Sequence, residues 1–133
     1  MPQHLNVVDG SSPIAAVTAF AVESADPSDD IATLARQMAD RGVGALLVQG
    51  RDGELNIVTE RDIVKAVASG DHAWAVDVMT RDVIEVAATT AIVDAAETMR
   101  VAGVRHLLVR REDEAVGIAS IRDLLGPLLD SIA

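Results

Sequence analysis

Two short stretches carry side chains able to hold a ligand: Thr59-Glu60-Arg61-Asp62 and Ser120-Ile121-Arg122-Asp123. In each, a hydroxyl is followed three residues later by a carboxylate, with an arginine immediately before it. An ionised carboxylate is a pure acceptor and takes hydrogen bonds from neighbouring hydroxyls more strongly than a neutral group does. A hydroxyl at a helix start stands among free backbone N–H groups, which favour an anion. The adjacent Arg61 and Arg122 add charge-assisted donors suited to phosphate. The same spacing is also close to a capping box, in which hydroxyl and acid satisfy each other's backbone amides, so either segment taken alone reads first as a plain helix start.

The two segments belong to a longer repeat. Thr59 and Ser120 stand 61 residues apart, and Gly42-Val43-Gly44-Ala45-Leu46-Leu47-Val48 returns at the same displacement as Gly103-Val104-Arg105-His106-Leu107-Leu108-Val109. Ile31, Ala35 and Met38 return as Ile92, Ala96 and Met99. Two copies of a unit too small to bury a good core alone should pack together and leave a ligand cleft at their seam. The copies differ most where Gly44-Ala45 is answered by Arg105-His106. An arginine and an imidazole beside apolar Leu107-Leu108 read either as partners for a ligand phosphate or as an arginine paired with a local acid and a satisfied, partly buried histidine.

The elements that must position these groups follow from periodicity. Ser12 and Pro13 start a short helix reaching Val17, and residues 21–24 read as a short strand. Ser28 then caps a helix with acids in its first turn and a buried stripe of Ile31, Leu34, Ala35 and Met38, ended by Gly42. Strands over 45–48 and 55–58 join through Gly50-Arg51-Asp52-Gly53, and a helix from Thr59 or Glu60 stops near Gly70. Residues 69–77 connect, with Trp74 covering apolar surface between the halves. The second copy repeats the order: a strand over 83–86, a helix over 90–102, strands over 107–109 and 115–119, and a helix from 120 to about 129. The expected fold class is α/β (α+β), two pseudo-symmetric β-α-β-β-α repeats. The organisation is a tail over 1–12, a first repeat over 13–70, a connector over 71–76 and a second repeat over 77–131.

Composition sets limits. The 133 residues are 50% hydrophobic, yet Phe20 and Trp74 are the only aromatics, so the core is built from Ala, Val, Leu and Ile, and the aliphatic surplus points to burial at a subunit interface. Absence of cysteine excludes disulfides and thiolate chemistry. A net charge of −10 opposes binding to nucleic acid or an anionic membrane. No stretch reads as a signal peptide or membrane span, so a soluble, cytoplasmic protein is expected. His4, His72 and His106 are too scattered for a metal cluster, and no nucleophile–base pair or P-loop stands out, so the chain is not read as an enzyme.

In their order these segments resemble the cystathionine-β-synthase (CBS) domain family, whose members usually occur as tandem pairs. The resemblance rests on the lead-in Asp77-Val78-Met79-Thr80, the helices ending in Met before Gly-Val, and Gly117-Ile118-Ala119-Ser120-Ile121-Arg122-Asp123, which the first copy matches as Asn56-Ile57-Val58-Thr59-Glu60-Arg61-Asp62, with Asn in place of Gly. It implies a regulatory pair, packed sheet to sheet, that binds an adenosine-containing ligand (AMP, ADP, ATP, NAD or S-adenosylmethionine) in clefts between the repeats. Asp62 and Asp123 would take the ribose hydroxyls. Thr59, Ser120, Arg61, Arg122, Arg105 and His106 would meet ribose or phosphate, and backbone groups at Ala21, Val22, Val83 and Ile84 would read the base. Ligand binding would shift the angle between halves and so signal to an effector protein. A homodimer is expected through helices carrying Leu34, Met38, Ala95 and Met99 and those carrying Val64, Val67, Leu125 and Leu128. The competing expectation is a dimeric adaptor that needs no ligand.

Overall fold

Aliphatic residues form a five-residue central strand in each copy, and each sheet is built around one of them. In the computed structural model, which describes residues 7–70 and 73–132, β1 (Ser24–Ala25), β2 (Ala45–Gln49) and β3 (Leu55–Thr59) form one sheet, with β2 central. β4 (Glu85–Ala87), β5 (His106–Arg110) and β6 (Val116–Ser120) form the other, with β5 central. In each sheet the short first strand runs parallel to the central one and the last runs antiparallel; Ser24 aligns with Leu47 as Glu85 aligns with Leu108. The mixed α+β repeats expected from the sequence are therefore present. His4 and His72 lie outside the described residues.

Five helices and a 3-10 turn complete the chain. The turn is Ile14–Val17, and the helices are α1 (Ile31–Arg41), α2 (Glu60–Ser69), α3 (Ala75–Val78), α4 (Ile92–Ala102) and α5 (Ile121–Ile132). Leu34 and Met38 of α1 bury against Leu46, Val48 and Val58, while Ala95 and Met99 of α4 bury against Leu107, Val109 and Ala119. Full burial of a Leu or Met side chain contributes about 1.5–3 kcal/mol, so these stripes fix the helices to their own sheets. Leu34, Met38, Ala95 and Met99 themselves face their own cores, and the apolar side chains that α4 leaves exposed are Val93 and Val101.

The compact units are not continuous repeats. Val22–Val83 forms one, whereas the segment ending at Ala21 joins the chain from Ile84 onward in the other. Each sheet is completed by a lead-in segment from the opposite copy. Ala19 lies antiparallel to Ile118 of β6 and its carbonyl accepts from the Ile118 amide at 3.3 Å. Thr80 lies antiparallel to Ile57 of β3, with hydrogen bonds of 2.7 and 3.2 Å. Ala19 and Thr80 are related by the same displacement as Ile57 and Ile118, so the exchange is symmetric.

Local chemistry accounts for the other departures from the sequence reading. Ser28 does not cap α1, because both its amide and its hydroxyl bond Asp26 Oδ1, at 2.9 and 2.6 Å; Asp30 caps instead, accepting from the Thr33 amide at 2.9 Å. Ser12 does not cap the 3-10 turn, since its Oγ accepts from the Asp9 amide at 3.0 Å. Helix α4 begins at Ile92 rather than at 90, with Ala91 offering no side-chain cap; the carbonyls of Gly10 and Ser12 accept from Val93 and Ile92, each at 2.9 Å. Strands β1 and β4 begin later than expected, at Ser24 and Glu85, and α3 occupies part of the expected connector. Helix α5 runs to Ile132 through Gly126-Pro127. Proline leaves the Asp123 carbonyl without its helical donor, and glycine before it avoids the Cβ clash that disfavours helix at a pre-proline position.

Gly117 is the tightest point under the exchanged strip. A Cβ there would stand 2.6 Å from the Ala19 carbonyl oxygen and 2.6 Å from Thr18 Cγ2. Gly117→Ala should therefore lower stability by about 1–3 kcal/mol in urea unfolding. Pro127→Ala, which restores the missing donor at the cost of a freer unfolded chain, should raise it by about 1–2 kcal/mol.

Candidate functional site

Each sheet hands over to a helix without a loop. Thr59 is the last residue of β3 and the N-cap of α2; Ser120 ends β6 and α5 begins at Ile121. The first helical amide is met by the neighbouring strand, Glu60 N–H donating to the Gly44 carbonyl at 3.1 Å and Ile121 N–H to the Arg105 carbonyl at 2.8 Å. A capping box fills the corner in the first copy. Thr59 N–H donates to Asp62 Oδ2 at 2.9 Å, and Asp62 N–H donates to Thr59 Oγ1 at 3.3 Å. The second copy matches it with Ser120 N–H to Asp123 Oδ2 at 2.8 Å and Asp123 N–H to Ser120 Oγ at 3.3 Å. The hydroxyls also donate to the same carboxylate oxygens, at 3.0 Å in the first copy and 3.1 Å in the second. The capping role that the sequence offers for both segments is therefore present at both corners. The amides of Arg61 and Arg122 take no part in the cap and stay directed out of the helix start.

Around the second corner the sequence-derived residues gather. His106 opens β5 directly opposite Ser120, so their side chains share a face of the sheet, and Arg105 immediately precedes it. In the first copy Ala45 stands opposite Thr59. Exchange of Gly44 for Arg105 is matched by a second change: a Cβ on Gly44 would stand 2.6 Å from Glu60 Oε1, and the residue corresponding to Glu60 is Ile121. His106 is half-buried; Arg105, Arg61 and Arg122 are exposed.

Several arginines elsewhere are committed to acids. Arg110 is held by Glu85 in a two-pronged pair of 2.8 and 2.9 Å and by Glu114 at 3.1 Å, which keeps the Glu85 carboxyl below the ordinary glutamate range. Arg100 pairs with Glu97, and Arg111 with Asp113 at 3.2 Å. Arg61, Arg105 and Arg122 form no ion pair among the described residues, a property they share with Arg36, Arg51 and Lys65. The expectation of a local acid for Arg105 is not met.

The four backbone positions lie just before β1 and β4 rather than within them. The Ile84 carbonyl is already spent on the Leu108 amide at 2.9 Å. The corresponding bond in the first copy comes from Glu23, whose carbonyl accepts from Leu47 at 2.9 Å. Ala21, Val22 and Val83 make no backbone hydrogen bond among the described residues, so their amides and carbonyls remain open to a partner. Thr80, read from the sequence only as the end of a lead-in segment, also reaches the first corner, its Oγ1 standing 3.1 Å from Asp62 Oδ2 and 3.4 Å from Oδ1.

An open pocket of about 570 Å³ in the Val22–Val83 unit is lined by Trp74, Met79, Arg51 and Arg81 and includes none of the sequence-derived residues. Trp74 is 44% exposed there. Among the described residues no group of three or more His, Asp or Glu could hold a metal ion, and no helix is long and apolar enough to cross a membrane.

Comparison with known proteins gives this geometry a family. The CBS domain pattern matches residues 12–69 and again 75–130. An uncharacterised 17.7 kDa protein of Acidianus ambivalens is 39% identical over 107 residues, which cover 78% of this chain and 65% of the relative. The chain spans less than two-thirds of the length of the curated relatives it matches, 65% of that one and 56% of a protein of Methanopyrus kandleri. Among solved structures, a CBS domain protein of Pyrobaculum aerophilum complexed with AMP is 29% identical, with a TM-score of 0.75 over 91% of this chain and 99% of its own. The CBS domain pair of protein MJ0100, solved with 5-methylthioadenosine and S-adenosylmethionine, shares the fold at 21% identity and a TM-score of 0.76, covering 86% of this chain and 98% of that one. With both repeats matched over nearly their whole length, the chain belongs to the CBS domain family as a tandem pair.

Proposed function

We propose that this CBS pair is a regulatory module that binds an adenosine-containing ligand, an adenine nucleotide such as AMP, ADP or ATP, through its hydroxyl–carboxylate corners. The observation that carries this reading is the second corner. There a carboxylate that accepts through one oxygen only, a helix-start amide outside the cap, and three groups able to bear positive charge, Arg105, His106 and Arg122, belong to one strand-to-helix junction. A ribose diol needs a paired acceptor, and a phosphate needs N–H donors and positive charge. The AMP complex of the Pyrobaculum aerophilum relative supports the same ligand class. The open backbone groups of Ala21, Val22 and Val83 suit the edge of a base. Bound ligand favours one conformation of the pair and so alters the surface offered to an effector protein.

Val64 and Val67 of α2 and Leu125, Leu129 and Ile132 of α5 are exposed by 51–81% and form the apolar faces through which the module pairs as a homodimer. Light scattering at micromolar concentration should give twice the chain mass; a strictly monomeric mass overturns the homodimer.

A second reading, a dimeric adaptor that works without ligand, is favoured by one observation: both Asp62 and Asp123 already serve as caps. A thermal-shift panel of AMP, ADP, ATP, GTP, NAD and S-adenosylmethionine separates the two. Ligand at a hundredfold its Kd should stabilise the protein by about 2.7 kcal/mol. Asp123→Ala should weaken nucleotide binding by about 1.5–3 kcal/mol. No shift with any of the six compounds supports the adaptor, as does unchanged affinity in a destabilised Asp123→Ala protein.

A further inference from the structure

The two corners have different numbers of acceptor positions left. A carboxylate offers about four lone-pair directions. Asp62 takes three hydroxyl or amide donors: the Thr59 amide, the Thr59 hydroxyl and the Thr80 hydroxyl, the last spread over Oδ2 and Oδ1. Asp123 takes two, both on Oδ2, and its Oδ1 has no donor among the described residues. The difference comes from the exchanged lead-in segments. Thr80 arrives beside β3 as Ala19 arrives beside β6, in the same register and at the same displacement, and alanine has no hydroxyl to give. Asp62 is correspondingly half-buried and Asp123 exposed.

Seating both hydroxyls of a ribose takes two acceptor positions. Asp123 has them while keeping its cap intact; Asp62 must release Thr80. A second, independent difference points the same way, since Arg105 and His106 flank the Asp123 corner where Gly44 and Ala45 flank the Asp62 corner. We infer that the two copies are inequivalent: the Ser120–Asp123 corner is the nucleotide site, and Thr80 closes the Thr59–Asp62 corner to a ribose by occupying its carboxylate. This rests on the adenosine-ligand reading above and names Thr80 and Ala19 as the residues that set the number of sites.

Isothermal titration of the full chain with AMP tests it. The wild type should bind one AMP per chain, and Thr80→Val, which keeps the side-chain shape and removes the donor, should bind two. Ala19→Thr, which supplies the missing hydroxyl to Asp123, should weaken the wild-type site by about tenfold, and it provides an independent reading if Thr80→Val folds poorly. Thr80→Ser, which keeps the donor, should remain at one. Two equal sites in the wild type overturn the inequivalence, and a single site in folded Thr80→Val overturns the closing role of Thr80, either result leaving nucleotide binding standing. Absence of binding in every variant overturns the nucleotide reading itself, and this inference with it.

Discussion

The structure depends on a strand meeting a helix with nothing between them. A strand's last residue must complete a ladder, while a helix's first turn has four amides and no carbonyls to receive them. Thr59 and Ser120 satisfy both demands at once, paired with Ala45 and His106 on one side and bonded to their own carboxylates on the other. The adjacent strand contributes the carbonyls of Gly44 and Arg105 to the first helical amides. A loop would let those groups turn to water. Its absence fixes the carboxylate, the second helical amide and the opening residue of the central strand in one small volume.

The duplication is exact in register and unequal in content. Gly117 must lack a side chain because the strip at Thr18–Phe20 passes over it, whereas its counterpart Asn56 is 2% exposed and sends Nδ2 to the Val48 carbonyl at 3.3 Å. Glu85 and Arg110 tie β4 to β5 by a charged pair where the first copy has Ser24 and Gln49. The backbone therefore sets where groups stand, and side chains decide separately in each copy what those groups are free to do.

Much of this was legible in the sequence because its signals are local. Gly42 and Gly103 do end α1 and α4 in the left-handed conformation, and the hydroxyl–acid spacing does mark both helix starts. What escaped was decided by residues far apart in the chain. Nothing near Asp62 announces that a threonine 18 residues later will occupy it, and nothing near Ile92 shows that its cap comes from the carbonyl of Ser12. The choice of Asp30 over Ser28 turned on a competition within one tight turn, where Asp26 claims the serine first. Helix α3 went unread because four residues are too few to show a period.

The exchange of lead-in segments has a consequence for how the chain acquires its fold. Val22–Val83 is contiguous, so all of it is made before the sheet of the other unit. That other unit is split: its strip over 9–20 is synthesised first and its sheet last, with contacts as distant as Gly10 to Ser131. Until Ile118 appears, the Ala19 carbonyl of that strip awaits its donor, and in a crowded solution the same strand of a neighbouring molecule is as good a match. The order of synthesis thus makes the late unit the slow one, and the one exposed to swapping between copies.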